Sequence, residues 1–351
     1  MAYLKFNQGG IKNKINTRLI SLGLEPDDRM MKTLEDNPQY VNRLTTLFNV
    51  LKKYKIVLDD SLHRAIASNA AQAGALVNLL EFMHAEEIDL AFISIERLLA
   101  SAKSETTLKQ GMQILKTHDS LDSESMNLIF LYPEQSLLIA DLIVNFQKHA
   151  YPTDKIIKKL YQFSVENIST VIELLTMLLN KNLYYFECFD ILLRQQEYVH
   201  KIYEGAKKLA AEDKLAPSYF EVVEKFPKNA NIFANIILLL NHGSIIDYQK
   251  TEDVLIASKL GIGEFHFLTH LQQANMLDVE NYKKICQYNH PILTNPEVIE
   301  LFGSLPLFEE FDKTELEKML TLITKEPSLD IHLAEFIELI QKHQFSNKPH
   351  L

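Results

Sequence analysis

Apolar positions recur along the chain in two alternating stripes, both with helical spacing. In Phe220, Val223 and Phe226, and again in Leu316, Met319 and Ile323, the interval is three or four residues. That spacing places the side chains on one face of an α-helix. A second stripe follows a short break, as in Ile168, Ile172 and Leu175 or in Ile232, Ile236 and Leu239. Several of the breaks carry a proline, namely Pro38, Pro133, Pro227 and Pro291. No stretch alternates apolar and polar residues as a half-buried strand does. The pattern predicts helix, short turn, helix, short turn, over and over.

The rhythm can be measured from an apolar anchor that opens each stretch. The anchors are Leu24, Leu58, Ile88, Leu121, Tyr151, Leu183, Leu215, Ile246, Leu277 and Phe311, with successive spacings of 34, 30, 33, 30, 32, 32, 31, 31 and 34. The residue after the anchor is Asp at Asp59, Asp89, Asp122, Asp247, Asp278 and Asp312, while Pro26, Pro152 and Pro217 hold neighbouring places in other units. Asp accepts hydrogen bonds from the free N–H groups of a helix's first turn, and Pro is tolerated there because its missing N–H costs nothing. Both residue types mark a helix start. Asp312 and Glu315 have the spacing of a capping box.

Two short helices cannot bury both stripes alone, whereas stacked units can. The expected fold is all-α, an α-solenoid of about ten two-helix repeats of roughly 32 residues. Residues 1–23 read as a basic N-terminal arm or capping helix, 24–340 as the solenoid, and 341–351 as a flexible C-terminal tail.

The segment Leu277, Asp278, Val279, Glu280, Asn281 and Tyr282, followed by Ile285, is echoed by Leu121, Asp122, Ser123, Glu124, Ser125 and Met126. This form resembles a degenerate helical repeat of secreted effectors of intracellular gram-negative bacteria. The resemblance covers about residues 24–340 in rhythm, and the many Lys, Asn and Ile residues fit it. It implies a protein delivered into a host cell that engages a host protein. It carries over no catalytic residue.

Composition narrows the picture. Ten Gly in 351 residues leave little for phosphate-cradling loops, and two Cys exclude a disulfide scaffold or a Cys-type zinc site. The net charge of −10 disfavours general nucleic-acid binding. That charge is uneven. Residues 1–58 hold 10 Lys/Arg against 5 Asp/Glu, and residues 297–338 hold 11 acids against 3 lysines. The acidic end suits a polar cap or a docking surface for a basic partner, and the basic end suits a solvated arm. Opposite ends also permit head-to-tail self-association. No apolar run approaches the ~20 residues that span a bilayer, so no stable membrane insertion is expected. The N-terminus lacks a secretory h-region, which places the protein in the cytoplasm or on a non-Sec route into a host cell.

Candidate chemistry is sparse. His266 and His270 stand four apart, a spacing that suits zinc, yet they lack the Glu of HExxH and a third ligand. Cys286 and His290 form a conceivable thiolate–imidazole pair, but Cys286 falls on a core position of the repeat. Gly261 and Gly263 lie in a turn with no strand before them, unlike a dinucleotide fingerprint. No catalytic residue, metal or cofactor is expected. Tyr184 and Tyr185 exceed what the stripes need, and Arg194, Tyr198 and Tyr203 follow in the same unit. Tyr and Arg are the residues of interface hot spots. These five, with Glu309 and Glu310 at the acidic end, form the expected partner-binding set. The expected function is a non-catalytic protein–protein interaction scaffold. The alternative is an enzyme or small-ligand-binding protein whose site is built from residues distant in sequence.

Overall fold

The computed structural model describes residues 2–184, 186–288, 291–305, 311–324 and 329–346. Its rhythm is set by residues whose backbone turns left-handed. Gly23, Lys55, Glu87, Asp119, Ala150, Asn182, Asp213, Ser244 and Asn275 have φ between 52° and 69° and recur every 31 or 32 residues. After each, the next N–H donates to the carbonyl five residues earlier, as Ile56 does to Leu51 at 2.9 Å, Tyr151 to Phe146 at 3.0 Å and Leu183 to Leu178 at 2.8 Å. That bond is the signature of a Schellman cap, which satisfies the orphan carbonyls of a helix end.

Helix lengths follow the same metre. Val41–Lys53, Ala73–Ala85, Glu105–Thr117, Ser136–Lys148, Ile168–Asn180, Val199–Ala211 and Ala230–His242 each have 13 residues. Each ends two residues before a left-handed residue. The helix that precedes each of them is shorter, from the seven residues of Pro217–Val223 to the nine of Asp60–Ser68. After the opening helix Ala2–Ser21, the described helices follow as ten pairs, of which the first seven keep that metre. The fold is all-α, with no strand among the described residues.

The predicted start signals hold in most units. Asp59 and Asp122 cap their helices through the N–H of Leu62 at 2.8 Å and of Ser125 at 2.7 Å. Asp312 accepts from the Glu315 N–H at 2.8 Å, and the Glu315 carboxylate accepts from the Asp312 N–H at 3.3 Å, completing the expected box. Pro38, Pro133 and Pro227 each open a 3-10 turn between the two helices of a pair. Two signals act differently. Asp89 caps the 3-10 turn Leu90–Phe92, and the following helix Ile95–Ser101 starts from Ser94. Asp247 receives the Gln249 N–H at 3.0 Å and shapes a turn, because the helix Thr251–Ala257 begins later.

The chain forms two compact units, Met1–Ile172 and Glu173–Leu351. In the first, Asp28–Asp36, Asp60–Ser68, Ile95–Ser101, Ser123–Leu131 and Thr153–Leu160 stack in succession, and Val41–Lys53, Ala73–Ala85, Glu105–Thr117 and Ser136–Lys148 form a parallel stack behind them. In the second, Val199–Ala211, Ala230–His242, Ile262–Gln273, Pro296–Ser304 and Leu329–Ser346 stack in turn. Equivalent helices of neighbouring repeats therefore meet, as a helical-repeat fold requires. Leu44, Leu76, Leu108 and Ile139 lie fully buried in the first unit, and Ile202, Phe233 and Phe267 in the second.

The termini refine the expected boundaries. Ala2–Ser21 is a helix that packs on Asp28–Asp36, with Ile15 and Leu19 buried, so the basic N-terminal segment is part of the fold. At the other end Leu329–Ser346 continues past Gln341, and His343 contacts Glu315 at 2.8 Å. The tail expected from 341 is helical to Ser346. No single described helix is long and apolar enough to cross a membrane. Ser123–Leu131 with Pro133–Lys148 has the composition but bends by 109°, and its Leu128, Ile129, Leu142 and Ile143 are buried in the first unit.

Candidate functional site

Of the expected partner-binding set, Tyr184, Arg194, Tyr198 and Tyr203 are among the described residues. Tyr184 is buried, 7% exposed. It sits two residues after left-handed Asn182, as buried Leu215 and Ile246 sit after Asp213 and Ser244, so its ring occupies the inward position of the turn. Tyr185, Glu309 and Glu310 lie outside the described residues. Arg194 ends the helix Phe186–Arg194 and donates to Glu224 at 2.6 Å. Tyr198 is half-buried at the end of the 3-10 turn Gln196–Tyr198. The Tyr203 hydroxyl donates to Glu173 at 2.6 Å, and the Lys207 ammonium lies 5.4 Å from its ring centre. The Glu173 hydrogen bond, aided by burial, pushes the Tyr203 phenol up to about 12.

Arg194–Glu224 and Tyr203–Glu173 belong to a wider class of contact. Each links residues 30 positions apart, one repeat length. Lys103 with Glu134 at 3.1 Å, Lys116 with Glu86 at 3.1 Å and Lys181 with Asp213 at 2.6 Å likewise span 31, 30 and 32 positions. Polar side chains on the outside thus stitch neighbouring repeats. Exposed pairs of this kind are screened by solvent and contribute little stability, so they register the stack more than they hold it.

The histidine and cysteine pairs form no reactive centre. His266 and His270 stack against Phe302, with ring centres 6.2 and 5.6 Å away, in an aromatic group that includes Phe311 and Phe336. Burial lowers the His266 pKa, which favours the neutral ring. Among the described residues no three His, Cys, Asp or Glu side chains are grouped to hold a metal ion. His290 lies outside the described residues. Burial pushes the Cys286 thiol up, with the Tyr282 hydroxyl pulling the other way, so the thiol is not activated as a nucleophile. Cys188 is fully buried. Gly261 is a turn residue, as expected, and its N–H donates to the Glu264 carboxylate at 3.0 Å.

One concavity combines enclosure with unspent polar groups. A cavity of about 660 Å3 lies in the second unit between the helices Thr251–Ala257 and Val279–Tyr288. The turn after the left-handed Ser244 contributes Ile245 and Ile246, and Ile256 and Val279 stand at its edge, 44% and 46% exposed. Tyr282 reaches its wall and is 6% exposed. Its hydroxyl has no hydrogen-bond partner among the described residues. Burial, then the neighbouring Cys286 thiol and the Asp253 carboxylate, raise its pKa. Asp253 accepts the Asp247 N–H at 3.0 Å. Lys250 and Lys284 are paired with Asp247 and Glu280. Lys259 and Lys283, exposed at the rim, make no ion pair among the described residues.

The other depressions differ in kind. That of about 560 Å3 in the first unit is lined by Arg29, Asp36, Asp60, His63 and Arg64, and there Arg29 is already paired with Asp60. Sequence reasoning passed over the Tyr282 cavity because every lining residue reads as ordinary repeat chemistry. The available signal was the long turn from Ser244 to Lys250, which leaves only seven residues for the helix Thr251–Ala257. No protein-family model matches the chain, and no curated protein or solved structure is similar to it.

Proposed function

We propose that the chain is a non-catalytic scaffold for protein–protein interaction. The observation that supports this most is the register of left-handed caps every 31 or 32 residues, which repeats one helix pair and one set of outward positions along the chain. Repeat folds of this kind use side chains on the exposed face for binding while the layers beneath hold them in place. Arg194 is exposed and Tyr198 and Tyr203 are half-buried within one repeat, which leaves them open to such use. A host-cell protein as partner follows from the resemblance to effector repeats in rhythm.

Affinity capture from a host-cell lysate with the full chain as bait tests the reading. One protein is expected to be retained in near-stoichiometric amount and lost on substitution of Tyr198 and Tyr203 by Ala. Retention that survives both substitutions removes these tyrosines from the interface. Absence of any retained protein, together with turnover of a small substrate, would replace the scaffold reading with an enzymatic one.

A further inference from the structure

We draw no further inference here: the strongest candidate, the half-open groove of the second unit between the helices Thr251–Ala257 and Val279–Tyr288, carries none, because the Tyr282 hydroxyl is buried beyond its reach, the Asp253 carboxylate lines it beside Lys259 and Lys283, and nothing in the structure shows what covers its apolar wall.

Discussion

The Tyr219 hydroxyl lies against the Cα of Gly205, and through that close approach it donates to the Ile202 carbonyl at 3.0 Å. The phenol is fully buried, and its ring stacks on Phe233 with centres 5.5 Å apart and planes 7° from parallel. The same glycine brings Val199–Ala211 against the start of Ala230–His242, since a Cβ there would stand 2.6 Å from the Ala230 carbonyl oxygen. In an exposed helix, Gly→Ala stabilises by up to ~1 kcal/mol. Here the obstacle is backbone, which cannot rotate away. Gly205→Ala is therefore expected to destabilise the second unit by about 2–3 kcal/mol, the cost of overpacking with a displaced hydrogen bond. Urea unfolding followed by circular dichroism measures it, and an unchanged midpoint would show that the helices separate freely.

The left-handed caps give the opposite sign. Ala150 holds φ of 58°, a conformation that costs an L-residue about 1–2 kcal/mol and glycine nothing. Against this, glycine adds freedom to the unfolded chain, so Ala150→Gly should stabilise by about 0.5–1 kcal/mol. The same change at Ala140, fully buried within Ser136–Lys148, should destabilise by about 1 kcal/mol or more. Thermal melts of the two variants should move in opposite directions.

These two positions show which part of the fold was legible in the chain. The helix pairs were legible, because apolar spacing and the starts at Asp59, Asp122 and Asp312 are local chemistry. The stops were not. Glycine marks a helix end in the sequence, and among the described glycines only Gly23 takes the left-handed turn, while Lys55, Glu87, Ala150 and Ser244 take it without a residue type that announces it. Tyr184 looked surplus because its place was counted as part of a helix face. Two residues after a left-handed cap, it is an inward turn position. The Tyr282 cavity depends on the gap between two neighbouring helices, a distance no single stripe records.

A pH dependence follows from His266. Burial holds its pKa below the ordinary value, so the folded chain prefers the neutral ring. The unfolded chain takes up a proton near pH 6.5, where the folded one resists. The contribution to stability is present in full above about pH 6.5 and is lost as pH falls toward the folded value. Glu264, raised by burial, titrates in the opposite sense, so the wild type alone mixes the two. His266→Gln removes one of them. The difference in unfolding free energy between wild type and variant should shrink as pH falls from about 7 to 5. A constant difference would mean that the folded and unfolded chains protonate the ring alike.

Two buried tyrosines should answer the same substitution with opposite signs. The Tyr132 hydroxyl donates to the Phe163 carbonyl at 2.7 Å and to the Leu160 carbonyl at 3.1 Å, tying a helix end of the next repeat. Tyr132→Phe strips a buried donor from two carbonyls and is expected to cost about 1–3 kcal/mol. Tyr282 has a hydroxyl of similar burial and no acceptor among the described residues. Tyr282→Phe gives up no bond and removes a group whose hydration was lost without return, so it should be neutral or stabilise by up to ~1 kcal/mol. Melting temperatures of the wild type, Tyr132→Phe and Tyr282→Phe are the three measurements needed. A Tyr282→Phe chain that melts well below the wild type would mean that the hydroxyl is already satisfied within the fold.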